Sequence, residues 1–172
     1  MEEIFLETKR LILREMDEKD FGELAKMLKN PRVMYAWEYD FDDNDVFGWI
    51  KKNKEYYKKY NLGYFLAIEK QSSEIVGQFA LLPDIIDGKE YYEAGYILKE
   101  EFWHNGFARE GAKGIVDYAF NKLNLDSIIF EIRPENKNSI HVAEYLGANV
   151  TGEFLKNVRG RQMKHLIYTL KK

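Results

Sequence analysis

Cysteine is absent from the 172 residues. That removes disulfides, thiolate catalysis and cysteine-based zinc sites together, and it fits a reducing cytoplasm, the expected location. Proline occurs only three times, and no repeat, low-complexity stretch or linker interrupts the chain. A single domain over residues 1–172 is expected. No apolar run approaches ~18 residues, so no membrane-spanning helix is expected. The opening MEEIFLETKR carries acids and then bases, with no apolar leader core. A dominant charge is lacking too: 26 basic and 29 acidic residues leave a net −3. There is no general basic field to suit nucleic acid.

What is present is a core-forming composition: 45% hydrophobic residues, with aromatics at 15%. So many rings suit a lined groove as well as a rich core. RLILREM alternates as a strand. Asp17 opens a helix whose Phe21, Leu24 and Leu28 share one face, with Asp20 adding charge at its start. Pro31 disfavours helix at Asn30. A second helix starts after FDDND, with Asp42 or Asp43 as its cap, and runs to about Lys59. Val46, Trp49, Ile50 and Tyr57 mark its stripe. Period two then takes over in GYFLAIE, EIVGQFALL and EYYEAGYIL, three strands of which the first two are joined by KQSS. DSIIFEIRPEN is a further strand. NSIHVAEYLGA is a short helix, with Asn138 as its cap and Gly147 at its stop. EFLKNVRGRQMKHLIYTL closes as a hairpin around Gly160. The order is α+β, a mixed α/β domain and not a repeating βαβ array.

The stretch FWHNGFAREGAKGIVDYAF joins a strand to a helix carrying glycines at 106, 111 and 114. Glycine weakens a helix interior by ~1 kcal/mol relative to alanine, so close packing or a ligand at the helix start should compensate. Backbone N–H groups at the positive end of a helix make an anion site. Gly106 and Ala108 would admit a phosphate, and Arg109 would add charge. The glycines alone fit an ordinary tight turn equally well. The Rossmann and Walker patterns are both absent.

Here the chain resembles the GNAT acetyltransferases, in particular the branch that acetylates N-termini of ribosomal proteins. Trp103-His104-Asn105-Gly106-Phe107-Ala108 resembles the family's R/Q-x-x-G-x-G/A. TKRLILREMDEKD, NPRVM, PENKNSIHVAEYLGA and VRGR resemble further family segments in the same order, over nearly the whole chain. The resemblance implies a central, mostly antiparallel mixed sheet flanked by helices, with a splayed strand pair forming an acetyl-CoA cleft. It implies that the pyrophosphate sits on His104, Asn105, Gly106, Phe107, Ala108 and Arg109. The pantetheine arm would run beside Ile97 and Leu98 and contact Asn136. Ser139 would lie near the sulfur. The chain departs from the pattern in three places. Trp103 replaces the usual Arg or Gln, His104 replaces the usual first small residue, and Ala143 stands where many members carry a tyrosine that reprotonates the thiolate. Tyr145 should face elsewhere.

The chemistry gives its own candidate. Acetyl transfer to an amine needs a neutral amine, a polarised carbonyl and a proton for the sulfur. It needs no metal. Glu93 stands among apolar residues in YYEAGYIL, four residues before Ile97 and so on the same strand face. Buried acids need a reason, and Glu93 is the candidate base. Asp40, Asp42, Asp43 and Asp45 either cap the second helix or attract a cationic acceptor, with Tyr35, Trp37, Tyr39 and Phe41 alternating beside them. The expected function is acetyl-CoA-dependent N-acetylation of a primary amine. The acceptor is the N-terminus of a ribosomal or other protein, or a small amine such as a polyamine or drug. A non-catalytic CoA-binding module is the alternative. Neither nucleic acid nor membrane is expected as a partner. Pairing of the closing strands with a second copy is left open.

Overall fold

The computed structural model describes residues 3–172. Met1 and Glu2, at the head of the opening segment, lie outside them. Eight strands form one sheet: β1 Ile4–Glu7, β2 Leu11–Arg14, β3 Gly63–Glu69, β4 Ile75–Ile86, β5 Lys89–Leu98, β6 Ser127–Ile132, β7 Asn149–Val158 and β8 Arg161–Lys171. Four α-helices accompany them: α1 Phe21–Leu28, α2 Asp43–Tyr60, α3 Phe107–Asn121 and α4 Lys137–Tyr145. The strand order is β1-β2-β3-β4-β5-β6-β8-β7. All neighbours are antiparallel except β5 and β6. This is the mixed, mostly antiparallel sheet flanked by helices that the sequence leads one to expect.

Local chemistry sets most boundaries. Asp17 and Asp20 form a capping box over a short 3-10 turn, after which α1 begins at Phe21. Asp42 caps α2 with a second box closed by Asp45. Asn136, and not Asn138, caps α4: its side chain accepts from the Ser139 N–H at 3.2 Å. Arg159 and Gly160 both take positive φ, 51° and 81°, between β7 and β8. That is the demand of a two-residue hairpin turn. The first strand pair is richer than its sequence suggests, because IFLE forms β1 ahead of β2. The closing hairpin also starts earlier, at Asn149.

The core lies on both sheet faces. Leu11, Leu13, Phe65, Phe79 and Phe130 are buried at its centre. Each contributes roughly 1.5–3 kcal/mol by leaving water. On the side of α1 and α2, Leu24, Leu28, Val46, Ile50 and Tyr57 turn inward. Phe41 joins them, 8% exposed and stacked on Tyr39. It is therefore a core residue and not part of an alternating acceptor wall, because residues 35–37 form a 3-10 turn and break the alternation. Asp20 does more than add charge at a helix start. It lies buried beside Arg14, which donates to it twice at 2.8 and 2.9 Å.

A parted sheet with a helix end at its mouth

Strands β5 and β6 share a single registered pair, Glu93 with Ile129. Beyond it the strands diverge, and the β6-facing edge of Gly95 to Leu98 has no strand beside it. A cleft of about 880 Å³ opens in the gap. Gly95, Ile97 and Leu98 line one wall, and Arg133, Asn136 and Ser139 the other. A β-edge carries spare N–H and C=O groups that an extended amide-bearing chain can pair with.

Helix α3 begins at one mouth of this cleft. Its N-cap is Gly106, at φ 79°, with no side chain capping the helix. The N–H groups of Phe107, Ala108 and Arg109 therefore lack intrahelical acceptors. His104, Gly106, Ala108 and Arg109 line the cleft. The side chains of Asn105 and Phe107 do not. Asn105 donates back to the Trp103 carbonyl at 3.0 Å, and Phe107 is buried under the Arg10 guanidinium. Neither residue lines the cleft.

The opening segment explains how the loop is held. Arg10 donates to the Asn105 carbonyl at 3.0 Å and to Glu110 at 2.7 Å, and Thr8 donates to Glu110 at 2.6 Å. Burial alone would raise the Glu110 carboxyl, but these donors outweigh it and hold it below the usual range. The glycines are accounted for by contact. A Cβ on Gly111 would lie 2.2 Å from the Phe79 ring, and one on Gly114 would lie 2.9 Å from Thr8. Helix α3 therefore sits directly on β4 and on the segment after β1.

Ser139 is in the first turn of α4, and its carbonyl accepts from the Tyr96 hydroxyl at 2.7 Å. Asn136 accepts both from Ser139 and from the Tyr35 hydroxyl, the latter at 2.8 Å. Tyr145 is 62% exposed and lies under Arg109, away from the cleft, and Ala143 is fully buried. Trp103 braces the loop through a 3.1 Å hydrogen bond to the Leu98 carbonyl.

Glu93 lines the far end of the cleft, on the α2 side, with Trp49 and Tyr64 nearby. It is not alone. Carboxylate oxygens of Glu93, Asp84 and Glu131 lie within 4.8 Å of one another, and Lys156 Nζ is 3.6 Å from Glu131. Burial first, then Glu93 and Asp84, push the Glu131 carboxyl well above the usual range. Burial would lower Lys156, but the three carboxyls outweigh it and raise it. Glu131 was open to the same reasoning as Glu93, since it interrupts the apolar run Ile128 to Ile132. The acidic run at 40–45 serves otherwise. Asp42 and Asp45 cap α2, Asp43 pairs with Lys29, and Asp45 also pairs with Arg159. None of the four lines the cleft.

A mixed sheet parted at one strand pair, with an uncapped helix end at the mouth of the gap, defines the GNAT class of acyltransferases. The sequence profile of the acetyltransferase (GNAT) domain matches residues 10–149. An uncharacterized Bacillus subtilis protein is 34% identical over 143 residues, 83% of each chain. An uncharacterized N-acetyltransferase of the same organism is 30% identical over 150 residues, covering 87% of this chain and 85% of the relative. The crystal structure of Vibrio cholerae spermidine N-acetyltransferase with CoA and spermine superposes with a TM-score of 0.74. It covers 94% of this chain and 95% of that one at 20% identity. The chain belongs to the GNAT N-acetyltransferases, a class that uses acetyl-CoA. The residues present fit that cofactor: an open β5 edge for its arm, and free N–H groups with Arg109 for its phosphates.

Proposed function

We propose that this enzyme acetylates a primary amine on a molecule that is not itself a polycation, with a protein N-terminus the best match. The carrying observation is the charge lining the cleft. Among the described residues, Lys52, Arg109, Arg133, Lys156 and Arg159 line it against only two acids, Glu93 and Glu131. That balance suits an anionic cofactor and a single ammonium. Arg133 and Arg159 are themselves paired, with Glu38 and Asp45, and two acids give the lining no series of carboxylates to hold a chain of ammonium groups such as a polyamine. The ribosomal-protein branch that the motifs resemble acts on amines of this kind.

Acetyl-CoA supplies the activated acetyl group. Gly106 to Arg109 hold its pyrophosphate, with His104 beside it. The edge at Ile97 and Leu98 binds its arm, together with Asn136. The amine arrives from the α2 side between Tyr35, Trp37, Tyr39 and Trp49. Glu93 accepts its proton, directly or through one water. A backbone N–H near Leu98 polarises the carbonyl. Ser139, close to Ala143 on α4, supplies the hydroxyl that the absent tyrosine would have offered to the departing sulfur.

The test is Glu93→Gln, which keeps shape and removes charge. Turnover at neutral pH should fall ~100-fold or more and recover partly at higher pH, where free amine is abundant. Acetyl-CoA affinity should stay near normal. Turnover within about twofold of wild type, with chemistry limiting, removes Glu93 from the role. Running a neutral or acidic N-terminal peptide beside spermidine tests the acceptor: faster release of CoA with spermidine overturns the choice of acceptor and leaves the chemistry standing.

A further inference from the structure

Glu131 is a buried acid for which the reaction above has no use. Its side chain is only 1% exposed, and neither carboxyl oxygen has a hydrogen-bond donor among the described residues. It faces Glu93 from β6 and Asp84 from β4, with all three oxygens inside 4.8 Å. Lys156 on β7, 3.6 Å away, is the cation of the group. Tyr64 on β3 and Tyr56 on α2 also face the group, and His165 on β8 feels the Lys156 charge. Three ionised carboxylates around one ammonium leave net negative charge in a partly dry site. Such clusters take up a proton or a cation.

We infer that Glu131 is a positioning residue: it stays a neutral acid at working pH and donates its proton in a hydrogen bond to the Glu93 carboxylate. This rests on the reading of Glu93 as base and deepens it. The shared proton satisfies an otherwise orphaned buried oxygen. It fixes Glu93 on the cleft wall and keeps its charge on the oxygen facing the amine. It also holds the floor of the site near one net negative charge, from Asp84 and Glu93 against Lys156, which suits one ammonium. A hydrogen bond to the charged form of Glu93 favours that form. The two carboxyls then share one proton, and the singly protonated pair is the active state.

Two variants separate this from a packing role. Glu131→Gln keeps a donor facing Glu93, and Glu131→Leu keeps bulk and removes it. Glu131→Gln should retain turnover within about threefold, with the acid limb of the kcat/KM profile unmoved. Glu131→Leu should lose at least about tenfold at neutral pH, and its acid limb should move up by about one unit or more. KM for acetyl-CoA should hold in both. Wild-type protein carrying 13C at the glutamate side-chain carboxyls gives a readout independent of catalysis. The resonance missing from Glu131→Gln should keep the shift of a protonated carboxyl at pH 7. If that resonance is ionised at pH 7, the inference is overturned. Equal damage in Glu131→Gln and Glu131→Leu overturns it too, as does a large thermal stabilisation by Mg2+ or Mn2+ that Glu131→Gln abolishes. A failure of Glu93 as base shows separately, as an active Glu93→Gln beside an unchanged Glu131 resonance.

Discussion

At the scale of single residues, the glycines of α3 do different work. Gly106 is conformational: its φ of 79° belongs to the left-handed region, where a side chain is strained. Gly111 is steric. Its missing Cβ would fall within 2.5 Å of three Phe79 ring atoms, and that ring is fully buried. Alanine there cannot be absorbed by a flexible side-chain end. Gly111→Ala should therefore destabilise by roughly 1–3 kcal/mol, despite the better helix propensity of alanine. Pairing it with Phe79→Leu should return part of the loss. Denaturant unfolding of the two single variants and the double measures this, and additive losses would mean that ring and methyl do not meet. The presence of these glycines was visible in the sequence. The reason for each was not, because Phe79 is distant in the chain and arrives through sheet pairing.

At the scale of elements, the segment between α1 and α2, the acceptor wall of the proposed reading, is tied to α4, to the end of β6 and to the β7–β8 hairpin. Tyr35 donates to Asn136 at the start of α4. Arg133, after β6, donates to the Ala36 carbonyl at 2.9 Å. The β7–β8 turn brings Arg159 onto Asp45 and the Tyr39 ring, and Arg161 onto Glu38 at 3.1 Å. The loop before α3 is held by another set, Thr8, Arg10 and Glu110, and Arg32 reaches only Glu100, ahead of that loop, at 2.9 Å. Arg159 and Arg161 touch none of these residues, so loosening them should act on the amine side. Arg159→Ala with Arg161→Ala should raise KM for the amine roughly two- to fivefold, in keeping with exposed pairs worth under ~1 kcal/mol each. KM for acetyl-CoA should not move. Steady-state kinetics with each substrate varied in turn decides it, and equal rises in both constants would show that the wall and the loop move together. The caps and hairpin turn behind this arrangement were legible locally, in Asp42, Gly147 and Gly160. The contacts were not, since they join segments about a hundred residues apart.

At the scale of the whole molecule, the fold class and the approximate place of the cleft were readable, since strand and helix periods are local and the motifs are collinear. The pairing of β6 between β5 and β8 was not. It is that pairing which sets Glu131 beside Glu93, so this carboxyl of the acid floor stayed hidden. Its opposite number in the global balance is Asp20. Burial would raise the Asp20 carboxyl, but the Arg14 guanidinium and the Asp17 N–H outweigh it and hold it below its ordinary value. Such a carboxyl binds fewer protons folded than unfolded between its native pKa and an unfolded value near ~4. Its stabilisation is complete above the unfolded value and is lost as pH falls through the native one. Glu131 has the reverse sign. Its native value is raised, so its ionisation favours the unfolded chain, and stability is lost as pH climbs above an unfolded value near ~4.3. Asp20→Asn should therefore be less stable than wild type at pH 7, by about 3 kcal/mol for a broken buried pair, with the gap closing toward pH 3. Glu131→Gln should gain on wild type between pH 4 and pH 7. Urea unfolding at intervals from pH 3 to pH 7 measures both. An Asp20→Asn gap that holds constant into acid would mean that the Arg14 pair does not depress Asp20. A Glu131→Gln difference that does not grow with pH would mean that Glu131 titrates folded as it does unfolded.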